Sequence, residues 1–199
     1  MARGRYFSAI LVAAACLLIS SCGSPSEYSN GPLGDGAKLQ SVGMCVPTPP
    51  NKAWVFTAMD LQNLSGRPLS VDRIELVGNV GLKTVAAEVI DADNSLNSTG
   101  GSATPWPVKA KPNDDGPDSD FVYNHFYTLP MLLPPVVNIG TEKFTYFVIV
   151  AVQAIKESGS ARGIDVFYSQ KGKRYVVHEP YSITLKVPPE DCSSWHMTS

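Results

Sequence analysis

The sequence predicts an all-β fold, an antiparallel β-sandwich of about seven to nine strands, and three observations carry that expectation. Sixteen prolines stand beside sixteen glycines, a pairing that punctuates elements and keeps helix interiors short. Short runs with period-two apolar alternation recur between clusters of turn residues. Beyond an N-terminal apolar run, no stretch shows a convincing amphipathic helix period.

Taken in order, Met44-Cys45-Val46 runs into Pro47, Pro49 and Pro50, which predicts a short edge segment. Lys52–Gln62 places Trp54, Phe56 and Ala58 on one face and Val55, Thr57 and Met59 on the other, a strand covered on both sides for part of its length. Residues 63–68, NLSGRP, form a turn. In Leu69–Val77 the apolar parity slips by one between Val71 and Ile74, the signature of a β-bulge. Leu82–Ile90 reads as a third strand; a helix is conceivable for KTVAAEVI alone, but Gly81 and the β-rich surroundings favour a strand. Asp91–Asp120 is polar and broken by Gly and Pro, and is expected to be a long loop.

The aromatic run Phe121–Thr128 resumes the strands, and the prolines of Leu129–Asn138 suggest a crossing between sheets. Glu142–Gln153 is apolar on both faces from Phe147 to Val152 and is expected at the centre of a sheet. After a turn at 157–160, Ile164–Ser169 and Arg174–His178 flank Gln170-Lys171-Gly172-Lys173 as a hairpin. Tyr181–Val187 alternates cleanly and predicts a half-exposed antiparallel strand. The pattern over Lys143–Val187 resembles the closing strands of Ig-like domains on bacterial envelope lipoproteins, so the resemblance implies an Ig-like sandwich. It carries no binding residue across. The intersheet cysteine pair of antibody-type domains has no counterpart, since Cys45 and Cys192 fall outside the expected core strands.

The chain begins MARGRYFSAILVAAACLLISSC, with Arg3 and Arg5 ahead of an apolar run from Phe7 to Ile19. That order reads as a secretory signal, too short for a comfortable permanent span. Ile19-Ser20-Ser21-Cys22 resembles the lipobox of bacterial lipoproteins, although Leu is commoner than Ile at its first position. The resemblance implies cleavage before Cys22, a diacylated thiol there, and a membrane partner on the extracytoplasmic side of the cell envelope. Gly23 is not the Asp that marks inner-membrane retention in some Gram-negative bacteria. The expected organisation is signal peptide at 1–21, flexible Ser/Gly/Pro-rich tether at 22–43, and one domain at 44–199. The tether's typical reach is about 25 Å.

Removing the signal takes away two arginines and no acid, so the formal charge moves from −2 to −4. A mildly acidic chain has no electrostatic footprint for nucleic acid, which is excluded as a partner. Cys16 leaves with the signal and Cys22 carries lipid. Cys45 and Cys192 remain in a compartment that permits disulfides and are expected to bond, the alternative being two buried thiols.

Chemistry is sparse. No G-x-S-x-G elbow occurs, and His125, His178 and His196 lie far apart, so no catalytic set and no cofactor is expected. Asp91-Ala92-Asp93-Asn94-Ser95 opens like an EF-hand loop but has Leu96 where Gly is required. Asp114, Asp115, Asp118 and Asp120 supply hard oxygens suited to calcium, and Met131, His125, His196 and Met197 are ligand types that suit copper. A metal-binding or metal-delivery lipoprotein is therefore the alternative to the leading expectation, a non-catalytic binding or assembly module with an envelope protein partner. Its candidate binding loop comprises Trp106, Asp114, Asp115, Asp118 and Asp120; Trp106, set between two prolines, is either an exposed anchor or a shield over a sheet edge. Asn63-Leu64-Ser65 and Asn97-Ser98-Thr99 match the glycosylation acceptor pattern.

Overall fold

Residues 145–154 are apolar on both faces because they run through the middle of a sheet that is covered on both sides. The computed structural model describes residues 26–27, 31–33, 42–92, 102–107, 123–135 and 145–195. These form thirteen strands and no helix: β1 Ser26–Glu27, β2 Val42–Pro47, β3 Ala53–Leu61, β4 Leu69–Val77, β5 Leu82–Ala92, β6 Ser102–Pro105, β7 Tyr123–Tyr127, β8 Met131–Leu133, β9 Thr145–Ala154, β10 Gly159–Ala161, β11 Gly163–Gln170, β12 Lys173–Glu179 and β13 Tyr181–Lys186. They assemble as β6-β3-β9-β5-β7, β1-β12-β11-β4-β8 and β10-β13-β2. Pairing is antiparallel apart from β1 with β12 and β2 with β13.

One apolar layer holds the three sheets together, making the chain an antiparallel β-sandwich. Phe56, Leu61, Val89, Val148, Val150 and Val152 from the sheet around β9 meet Leu69, Val71, Leu133, Val166 and Tyr168 from the second sheet, with Ile183 and Leu185 from the third. On the other face of the β9 sheet, Val55, Ile90, Ile149 and Ala151 form a separate buried cluster. Each face of β9 therefore feeds a different core.

The local expectations are met where period-two alternation carried them. In β4, Phe167 faces Arg73 and Tyr168 faces Val71, so Asp72 is the extra, bulged residue. The bulge lets Leu69, Val71 and Ile74 all point inward despite the parity slip. Asp72 Oδ1 accepts from Ser70 Oγ at 2.7 Å and from Ser169 Oγ at 3.3 Å. The β11–β12 turn is two residues, Lys171 and Gly172, both with positive φ (52° and 75°), the geometry that matches the twist of paired strands. Segment 82–92 is strand, β13 buries alternate residues, and the chain crosses from one sheet to another between β7 and β8.

Three expectations are corrected. More strands form than alternation alone marks, because β1, β6, β8 and β10 are two to four residues long. The long loop at 91–120 is not loop throughout: β5 extends to Ala92, and Ser102–Pro105 adds β6 to the free edge of β3. The tether at 22–43 is not free throughout either. Leu33 is 2% exposed, packs in the main core and bridges Asn63, while β2 starts at Val42. Asn63 is itself buried, its amide donating to Arg67 O at 2.7 Å and Leu133 O at 3.0 Å, so that acceptor motif has no accessible nitrogen.

Cys45 and Cys192 are bonded, with Cα atoms 5.8 Å apart and a separation of 147 positions in sequence. The bridge ties edge strand β2 to the chain beyond β13, where Trp195 Nε1 donates to Thr184 Oγ1 at 3.1 Å. A Cβ at Gly43 would meet Ser182 Cβ at 2.8 Å and Trp195 Cη2 at 3.1 Å, so this close approach needs glycine. At the junction of β12 and β13, Glu179 is 4% exposed and Tyr181 1%. The Tyr181 hydroxyl has no hydrogen-bond partner among the described residues. Burial pushes the Glu179 carboxyl up to about 7, with the charge of His178 acting the other way.

Two outcomes are expected. Closing so long a loop removes about 5 kcal/mol of unfolded-state entropy, so Cys45→Ala with Cys192→Ala should lower the urea midpoint sharply without changing secondary structure. A carboxyl raised in the folded state favours folding fully below its ordinary pKa and loses that advantage as pH rises through about 7. Glu179→Gln should therefore gain on the parent as pH rises from 5 to 8, by up to about 3 kcal/mol, in denaturant titrations across that range.

Candidate functional site

Ala92, the last residue of β5, is paired with Tyr123, the first of β7. Between them in sequence lie residues 93–122, interrupted by β6 at the opposite edge of the sheet, so the pair marks where this segment starts and finishes. Its footing is a polar and aromatic cluster. Asp91 Oδ1 accepts the His125 backbone N–H at 2.8 Å, and Oδ2 accepts the Tyr127 hydroxyl at 3.0 Å. His125 Nδ1 stands 3.4 Å from the same carboxylate while its side chain is 72% exposed; that of Asp91 is 14% exposed. Tyr146 lies opposite Asp91 on β9, its ring 6.1 Å from that of Tyr127.

Sequence periodicity explains this convergence. His125 and Tyr127 are two apart on β7, Val89 and Asp91 two apart on β5, so all four share the inward side at the end of the sheet. Burial, the Asp91 hydrogen bond and the adjacent negative charge push the Tyr127 phenol up to about 12. Burial and Asp91 also raise Tyr146. Both phenols thus stay neutral, and Tyr127 donates to the Asp91 carboxylate. The exposed imidazole stands beside two phenols tilted to each other, a surface suited to hydrogen bonding and ring packing.

The candidates named from sequence distribute unevenly. Cys22, Asp114, Asp115, Asp118 and Asp120 lie outside the described residues, as do His196 and Met197. Trp106 is half-buried and packs against the outer cluster of Val55, Ile90, Ile149 and Ala151. Its backbone N–H donates to Ala53 O at 3.0 Å, at the start of β3, whereas Asp91 lies in the register row of Leu61 at that strand's end. Eight strand residues separate these rows, about 26 Å. Trp106 therefore acts as the shield over a sheet face and is not gathered with Asp91. Trp54 belongs to the core, its Nε1 donating to Thr48 Oγ1 at 2.8 Å.

Of the copper-type ligands that the structure describes, Met131 is 8% exposed in the main core and stands on a different sheet from His125. Among the described residues, no three His, Cys, Asp or Glu side chains gather to hold a metal ion. The EF-hand-like start at Asp91 has a structural use instead, since both carboxylate oxygens are engaged within the sheet. The sequence reading missed Tyr127 and Tyr146; the density of aromatics in YNHFY and TYF was the available signal.

No protein-family model and no curated protein matches the chain. Among solved structures it is similar to the ASH / PapD-like domain of human CEP192 (PapD-like domain 7), at 8% identity and a TM-score of 0.34, covering 84% of this chain and 100% of that one. This likeness is too loose to carry residues or function across.

Tyr127→Phe should remove the tyrosine that ionises near pH 12 from a spectrophotometric titration and cost about 1 kcal/mol in stability. Asp91→Asn should lower the same phenol's pKa, because a hydrogen bond to a carboxylate and its charge both disappear.

Proposed function

We propose that this chain is a lipid-anchored lipoprotein of the bacterial cell envelope whose sandwich is a non-catalytic binding or assembly module. The supporting observation is the Ala92–Tyr123 register pair, which brings the two ends of the polar segment 93–122, interrupted by β6, onto a rigid sheet beside Asp91, His125 and Tyr127. Long segments mounted on rigid strands are where sandwiches carry recognition, because sequence there varies without disturbing the core. The acids Asp114, Asp115, Asp118 and Asp120 give that excursion a negative character that fits a basic protein surface. The anchor follows from the N-terminal order of Arg3, Arg5, the apolar run and Ile19-Ser20-Ser21-Cys22.

Intact-mass measurement of the mature chain should show cleavage before Cys22 and the added mass of a diacylglyceryl group, and Cys22→Ala should abolish both. Partner contact is tested by changing the four aspartates together to asparagine, which spares β6. Cross-linked partners should be lost while the thermal midpoint is kept; an unchanged set of cross-links would sink the assignment of contact to this segment.

A further inference from the structure

The N-terminal segment, the β11–β12 hairpin and the 63–68 turn meet at one end of the sandwich. Ser26 pairs with Tyr175 and Glu27 with Val176, in parallel, so β1 points away from the hairpin tip and its N-terminal end faces the tip side. Ser26 is four positions beyond Cys22 in sequence, at most about 14 Å of chain. Farther along, Pro32 O accepts the Leu64 N–H at 3.1 Å and Leu33 is buried beside Asn63, a second hold at the same end.

The surface there has a consistent character. Lys171, Lys173 and Arg174 are exposed on the hairpin, and Arg67 is exposed on the turn. Gln170 Nε2 binds the two together, donating to Ser65 Oγ at 2.6 Å and Arg67 O at 3.1 Å. Two large apolar side chains stand beside these cations: Leu64, 64% exposed, and Leu132, 71% exposed. The register sets Arg174, Ser169, Ser70 and Leu132 in one row across four strands, so the cation and the leucine share a face. Carboxylates near this end are Glu27, on β1 opposite Val176, and Asp60, Asp72 and Asp91, the last three each accepting a hydrogen bond from a neighbouring group. The far end also exposes Val80 and Ile155, beside Lys83, Lys156 and Arg162, but the direction of β1 leads the anchor away from it.

We propose that this end, built from Leu64, Arg67, Leu132, Lys171, Lys173 and Arg174, is a membrane-docking surface that rests on anionic phospholipid headgroups. The proposal rests on the reading that Cys22 carries the lipid. A short lead from the acyl chains to Ser26 lets the basic tip reach the headgroups, and within a Debye length of them each cation strengthens partitioning about fivefold. The leucines enter the interface while the cations stay at headgroup level. Docking then turns the sandwich into a fixed orientation on the bilayer.

The test uses the full mature chain, whose only free thiol is one introduced for labelling, since Cys16 is removed, Cys22 is acylated and Cys45 is bonded to Cys192. An environment-sensitive fluorophore is placed at Leu64→Cys or, as the far-end control, at Val80→Cys. Each protein is reconstituted into phosphatidylcholine vesicles with or without phosphatidylglycerol. Expected is a blue-shifted, iodide-protected signal at position 64 in anionic vesicles alone, lost in high salt and in the Lys173→Glu/Arg174→Glu variant, with position 80 quenched throughout. Equal quenching at both positions in every vesicle, or protection indifferent to lipid charge, overturns the proposal. A mature chain lacking the diacyl mass fails the anchor reading instead, and its charge-dependent binding to the same vesicles then reports on the basic end alone.

Discussion

The rest of the structure depends on β9 being buried on both faces. Val148, Val150 and Val152 join the main core, and Ile149 and Ala151 the outer cluster, so one strand commits apolar side chains to two separate layers. Such a strand is stable only in the interior of a sheet with cover on each side. Its neighbours β3 and β5 repeat the arrangement, with Phe56 and Val89 inward and Val55 and Ile90 outward. β6 and β7 then occupy the edges, which explains why Trp106 and Phe126 pack over the outer cluster. The site inherits its rigidity from this: the residues that anchor 93–122 stand on the strands that the two cores grip.

Buried polar groups mark where the chain turns or ends, and most are spent there. Asn63 closes the turn into β4 through its amide and carbonyl together. Asp72 fills the bulge with hydroxyl donors on either side. Asp91 caps the end of β5 with two hydrogen bonds across to β7. Glu179 differs, a carboxyl taken out of water at a sheet crossing near the Tyr181 hydroxyl, which has no hydrogen-bond partner among the described residues. Burial of this kind disfavours the charged form, so the crossing trades stability against pH.

Legibility in the sequence followed the range of the interaction. The Val71–Ile74 parity slip announced the bulge, and Lys171-Gly172 the hairpin, because both are settled within a few residues. The two-sided apolar run announced β9. By contrast, SATP at 102–105 has no alternation to read, and becomes β6 only because the free edge of β3 accepts it. Leu33 looked like part of a tether because its neighbours are Pro and Gly, yet it fills a core position reached from Asn63. The candidate site was half legible: the segment after Asp91 stood out by composition, while Asp91 with Tyr127 and Tyr146 joins residues up to 55 apart and left only a local excess of aromatics.

The sequence by itself determined the all-β class, the central strand, the hairpin and the two cysteines left to pair, since each depends on periodicity or on counting within the chain. Only the tertiary structure decided which edge strands form, that Trp106 shields a sheet face, and that the N-terminal segment meets the basic hairpin and the exposed leucines at one end. Those outcomes come from pairing between strands distant in sequence, where loop closure and burial select partners that no local pattern encodes.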